Sequence, residues 1–172
     1  MLMTDLLPKE QWVALEQEIH QRFGLNARVY DDKGFSFTGH VTWSNALCPA
    51  IKATKGGTAA ICSVAHMAMA AEARQTGETV IAECDAGLVK ICVPVFVDDV
   101  FIGVVGGCGR ILDQGEVDAF MVGKSTGMAE AQVETLAAQV EGLTTAQAQE
   151  AAHFMEERLA AALDICRAKA GS

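Results

Sequence analysis

Two apolar runs, Val89 to Val97 and Val100 to Val105, are separated only by Asp98-Asp99. Strands joined this tightly have no room for a crossover, so the pair is constrained to an antiparallel hairpin. Upstream, Thr79 to Glu83 reads as a third strand, connected through the turn Asp85-Ala86-Gly87. A sheet of this kind must bury its apolar surface against something, and the flanking segments supply helices.

From Pro8 to Phe23 the residues Trp12, Leu15, Ile19 and Phe23 recur at helical spacing, with Pro8 suited to a first turn and Gly24 to the stop. Leu25, Ala27 and Val29 then alternate with polar neighbours. After the turn Asp31-Asp32-Lys33-Gly34, Phe35 and Phe37 resume the alternation, which predicts a second hairpin. The stretch His40 to Gly57 reads as an irregular loop, followed by a helix from Thr58 to about Gln75. The remainder is helical: Val117 to Val122, Ala129 to Val140, and a long helix opening at Thr144, where Gln147 completes a capping box. In that last helix Met155, Leu159, Ala162 and Cys166 share a face. The pattern is α+β, an antiparallel sheet covered on one side by helices.

A chain of 172 residues, 51% hydrophobic, holds enough apolar material for one core, so residues 1–172 are expected to form a single domain. The net charge of −9 repels a phosphate backbone, and no direct nucleic-acid partner is expected. No apolar run reaches membrane-spanning length, and Met1 to Lys9 lacks the basic and apolar regions of a secretory signal. Cytoplasmic placement is expected. Thiols stay reduced there, so the six cysteines point to metal, redox chemistry or packing before disulfides.

Four cysteines occupy special backbone settings. Cys48 precedes Pro49 in the loop, Cys62 falls in the early turns of a helix, Cys84 enters the glycine turn, and Cys108 stands within Gly106-Gly107-Cys108-Gly109. Thiolates in such positions suit a tetrahedral zinc or a cuboidal iron–sulfur cluster. Their separations, with 13, 21 and 23 residues between them, contain no compact pair, so they also read as the lining of an organic-ligand pocket or as small core residues. Cys92, within a strand, and Cys166, on an apolar helical stripe, read as packing. Cys62, His66 and Met69 follow i, i+4, i+7 spacing, so His66 can replace one cysteine as a ligand; the alternative is a hydrogen-bonded structural histidine. Trp43 and Asn45 suit a loop that closes over a small-molecule site, or else a core ring and a turn cap. Glu83 and Asp85 read as a solvated turn. Gly-x-Ser-x-Gly and phosphate-loop patterns are absent, and Leu112 stands where a dinucleotide motif needs its third glycine, so the chain does not read as an enzyme.

The series Asn45, Cys48-Pro49, Ile61-Cys62, Ala65-His66, Glu83-Cys84-Asp85-Ala86-Gly87-Leu88, Val93-Pro94, Gly103 and Gly106-Gly107-Cys108-Gly109 resembles the PocR-type sensory domain over about residues 43–123. The resemblance implies a PAS-like fold, a ligand-sensing role in bacterial signalling, and a pocket that in some relatives receives small molecules such as diols. Relatives usually carry a fused output module, so a separate output protein is expected here. Cys108 departs from the common pattern and marks a subgroup with its own chemistry. Two readings follow. In the first, Cys48, Cys62, Cys84 and Cys108 hold an iron–sulfur cluster, or alternatively zinc, and a shift of the Cys48 loop is relayed to the C-terminal helix, whose apolar face suits a second copy or an output protein. In the other, a diol-like ligand sits near Trp43, Asn45 and Cys84 without metal. Both require that distant sulfurs converge beside the sheet.

Overall fold

The segments Val89–Val97 and Val100–Leu112 pair as an antiparallel hairpin, and the rest of the sheet is assembled on it. The structure is a computed structural model and describes residues 1–170. In chain order the elements are α1 (Met3–Leu6), α2 (Lys9–Phe23), β1 (Asn26–Asp31), α3 (Leu47–Lys52), and α4 (Lys55–Gly57), which runs through a π-helical segment (Thr58–Ser63) into α5 (Val64–Thr76). Then follow β2 (Val80–Glu83), β3 (Val89–Val97), β4 (Val100–Leu112), α6 (Ala119–Thr126), α7 (Glu130–Ala137), β5 (Gly142–Leu143) and α8 (Thr145–Ala170). The sheet runs β1-β4-β3-β2 with every neighbour antiparallel, and β5 adds in parallel to the end of β4. This is the α+β architecture expected, with its opening helix and long terminal helix.

Local chemistry explains the helix limits. Pro8 precedes the first turn of α2, and Gly24 closes it in the left-handed conformation, donating its N–H to His20 O. At α8 the capping box forms as read: Thr144 N–H donates to Gln147 Oε1 (2.9 Å) and Gln147 N–H to Thr144 Oγ1 (3.1 Å).

The sheet is covered on both faces, not one. On one face Ala27, Val29, Ile91, Val93 and Val105 join Trp12 and Ile19 of α2 and Ala151, Met155 and Leu159 of α8 in the main core. On the other, Cys92 and Val104 meet Met69 and Ala73 of α5. The physical reason lies in β3, which is buried at nearly every position; a strand apolar on both sides needs cover on both. The apolar stripe of α8 that suited a partner is itself buried against the sheet: Met155, Leu159 and Ala162 are all within the core and Cys166 packs on its edge.

Three local expectations change. The hairpin over residues 25–37 does not form, because on the edge of β1 away from β4 side chains take the backbone donors, Ala27 N–H giving to Thr42 Oγ1 and Val29 N–H to Glu16 Oε1, and only Tyr30 and Ser36 bridge across the turn. The glycine run does not end β4; pairing with β1 on one edge and β3 on the other carries the strand through Gly106 and Gly107 to Leu112. Lastly, Cys48 lies in a helix: Leu47–Lys52 is helical, with Pro49 tolerated in its first turn.

One buried acid pins β1 to α2. Glu16 is fully buried, and its Oε1 accepts from Val29 N–H (2.9 Å) and Thr38 Oγ1 (3.0 Å), while burial pushes its carboxyl above the usual range. In the turn between β2 and β3, Gly87 adopts a φ of +79°, and a Cβ there would collide with the Glu116 carbonyl oxygen. Beside it, Asp118 N–H donates to Ala86 O (3.0 Å). Gly87→Ala is therefore expected to lose about 2 kcal/mol or more, combining left-handed strain with displacement of the 116–118 segment. A urea midpoint equal to that of the unmodified chain refutes this account.

Candidate functional site

The pleat of the sheet determines which side chains meet. Asn26 of β1, Cys108 of β4 and Lys90 of β3 lie opposite one another across the ladder, so they share the face turned away from the main core. Arg28 and Tyr30, two and four residues along β1, share it too. Over this face lie α3, the π-helical segment and the start of α5. A cavity of about 520 Å³ is left between them.

All four singled-out cysteines line that cavity: Cys48 from α3, Cys62 from the π-helical segment, Cys84 from the turn after β2, and Cys108 from β4. Their positioning is specific. Asn45 Oδ1 accepts the Cys48 N–H (2.7 Å), and Asn45 Nδ2 donates to Gly109 O (2.7 Å) and lies 3.3 Å from Cys48 Sγ. A second amide, Asn26 Nδ2, points at Cys108 Sγ over 3.8 Å. Close approach of Ser44 and Asn26 is possible because Gly109, at φ +96°, carries no Cβ. Cys84 is held by its own turn, where its N–H donates to Leu88 O (2.9 Å) and its carbonyl accepts from Gly87 (2.8 Å). Cys62 sits in a π-helical turn, an irregularity that repositions a side chain without ending the helix.

Burial pushes the Cys48 thiol up to about 12, and the neighbouring Cys108 and Cys84 add to the effect, against the opposing hydrogen bond from Asn45. Burial likewise raises Cys62, which Lys52 partly offsets, and Cys84, where the backbone of Leu88 and Ala86 opposes it. These thiols are protonated at neutral pH. The cysteines also sense one another, since Cys108 and Cys84 each act on both Cys48 and Cys62.

The remaining sequence candidates divide. Trp43 and His66 line the cavity, whereas Asn45 stands behind Cys48 as a cap and a donor to sulfur. Cys92 is buried among Met69, Val80 and Val104 on the same sheet face but outside the lining, and Met69 is core with it. Glu83 and Asp85 border a separate surface groove together with Glu116 and Glu130. Sequence reading missed Arg28, Tyr30, Lys33, Lys52 and Lys90, all of which line the cavity. For Lys90 a signal was present: it is the single charge in the apolar strand Val89–Val97.

His66 is the least satisfied of the lining groups. Its ring stacks on Tyr30 with centroids 3.8 Å apart, and neither ring nitrogen has a hydrogen-bond partner. Burial, then the Lys90 and Lys52 charges, pulls its pKa down to about 4. Between pH 6.5 and 4 the unfolded chain therefore takes up a proton that the folded chain refuses, and stability falls as the solution is acidified. At about 1.4 kcal/mol per pKa unit, the loss attributable to His66 reaches roughly 2 kcal/mol by pH 5. His66→Gln removes that component: urea midpoints at pH 7 and pH 5 are expected to differ less in the variant than in the parent, and equal slopes reject the assignment.

Among the described residues, no three His, Cys, Asp or Glu side chains lie close enough to grip one metal ion, and no helix is long and apolar enough to cross a membrane. A family model described as the sensory domain found in PocR matches residues 5–163, extending beyond the stretch that carried the resemblance. No curated protein and no solved structure matches the chain.

Proposed function

The chain belongs to the family of the PocR sensory domain, and from that premise we propose that it senses the state of an iron–sulfur cluster held by Cys48, Cys62, Cys84 and Cys108. The observation that supports this is that four thiols from four separate elements line one cavity, with side-chain amides directed at two of them. Among the described residues no three donors are placed to hold one ion, which argues against the zinc alternative, while a cluster takes one sulfur at each of its corners and so calls for more widely spaced thiols. When bound, the cluster supplies a redox-active and oxygen-sensitive centre.

The chain's own residues do the rest. Each cysteine must give up a proton to bind iron, so uptake is pH-dependent and releases protons. Asn26 and Asn45 donate to sulfur and stabilise the charged form, and Lys90 and Lys52 offset its negative charge. The domain acts as one cytoplasmic sensory unit without catalytic activity of its own, and passes its state to a signalling partner rather than to nucleic acid.

Anaerobic purification or reconstitution is expected to yield coloured protein with stoichiometric iron and sulfide, and Cys84→Ser to lose more than about half of that iron. Folded protein that stays colourless and iron-free after reconstitution contradicts the reading. The second reading, a small organic ligand with the thiols as lining, is favoured by the volume of about 520 Å³ and by the apolar residues Trp43, Ile51, Ile61 and Leu88 in the wall. Stabilisation of iron-free protein by a diol, retained in Cys108→Ser, supports it.

A further inference from the structure

The charge of the cavity is the reverse of the charge of the chain. The sequence has 22 acidic residues against 13 basic, yet Arg28, Lys33, Lys52 and Lys90 line the cavity and no aspartate or glutamate does. Of these, Lys90 is the most constrained: it is only 6% exposed, and none of the ion pairs among the described residues includes it. Its nearest aromatic partner is Tyr30, whose ring centroid lies 5.4 Å from Nζ. No carboxylate is paired with this ammonium, so an anionic group entering the cavity meets a cation that no ion pair has neutralised.

A second group at the same place has no partner at all for its polar atoms. His66, also 6% exposed, stacks on that same Tyr30 ring and leaves both nitrogens without partners. Buried polar atoms are ordinarily satisfied, so two bare His66 nitrogens, on the same aromatic neighbour as an ammonium with no carboxylate, mark a place where a ligand supplies the missing partner. The mouth beside them is apolar: Phe35 is 66% exposed and Met67 69%, and both line the cavity with Trp43. Exposed large apolar side chains around an opening suit an organic body rather than a hydrated inorganic ion.

We propose that this part of the cavity is a receptor site for a small organic carboxylate, with the anion held by Lys90, a hydrogen bond made to His66, and the apolar body covered by Tyr30, Phe35, Trp43 and Met67. The site rests on the reading of the cavity as the sensing site and is independent of whether the sulfurs carry a cluster. Its chemistry distinguishes it from a diol pocket: the ligand must be charged.

Thermal shift and calorimetric titration at constant ionic strength provide the test, with butyrate and benzoate as probes, their amides as neutral isosteres, and inorganic phosphate as the hydrated oxyanion. Iron is quantified on the same samples, so a missing cluster and a missing carboxylate response are separately visible. The expected result is saturable stabilisation by at least one carboxylate and none by the amides. Lys90→Met is expected to weaken that binding by about thirtyfold or more, with Lys90→Arg retaining most of it. Should Lys90→Met fail to fold, His66→Gln is the second variant, with a loss of about tenfold expected. Equal responses to carboxylate and amide, an equal response to phosphate, no saturable response, or unchanged affinity in the variants overturns the proposal.

Discussion

Everything in this structure depends on the register of β4 between β1 and β3. Because successive residues of a strand face opposite ways, the pairing that sets Asn26, Cys108 and Lys90 in one row also sets Ala27, Gly107 and Ile91 in the next, facing the other side. The second row enters the apolar core with α2 and α8, while the first forms the floor of the cavity. A slip of one residue exchanges the two sets, driving Lys90 into the core and Ile91 into the cavity. The burial of Ile91, Val93 and Val29 thus secures the polar floor indirectly, by making any other register expensive.

That polar floor creates an electrostatic problem. Inside a region of low dielectric a thiolate and an ammonium each favour neutralisation, and the thiols achieve it by staying protonated, as the elevated Cys48 and Cys84 show. Lysine has no such easy course here. Burial works against the Lys90 charge, but the Tyr30 hydroxyl and the thiols of Cys92, Cys108 and Cys84 favour it once ionised, and the balance leaves it above its ordinary value. The thiols and Lys90 are therefore parts of one system, in which the Lys90 charge eases loss of a proton from Cys62, Cys84 and Cys92 while the neighbouring Cys108 opposes it.

Legibility in the sequence followed the range of the interaction responsible. The limits of α2 rest on Pro8 and Gly24, the start of α8 on Thr144 and Gln147, and the β3–β4 hairpin on Asp98-Asp99; all are local and all were readable. Where a distant segment decides the outcome, local rules misled. Val29 and Phe37 alternate like two arms of one hairpin, yet the side chains of Glu16 and Thr42 take the edge of β1 that the second arm needs, and a glycine run that weakens an isolated strand is tolerated when both edges are paired. The site shows the same division. Its cysteines were conspicuous because sulfur is rare and chemically distinctive, whereas Arg28 and Tyr30 were hidden as the polar half of an alternating strand. Lys90 was visible but ambiguous: a charge in an apolar strand indicates an edge, a solvated face or a site, and only the cover supplied by α3 and α5 selects among them.

The two-sided cover also bears on how the cavity communicates with the rest of the molecule. Lys90 faces the cavity, while Val89 and Ile91 on either side of it join the core that includes Met155 and Leu159 of α8. A change in the charge or filling of the cavity that shifts Lys90 therefore moves backbone already in contact with α8, because close-packed side chains transmit displacement rather than absorb it. By contrast, α3 and the turn at Cys84 meet a separate cluster with Val122 and Val133, on the side of α6 and α7. The cavity consequently stands at the junction of two packing systems, one reached through the strand and the other through the cysteines. A ligand that engages both Lys90 and the sulfurs couples them; one that engages a single set leaves the other packing unchanged.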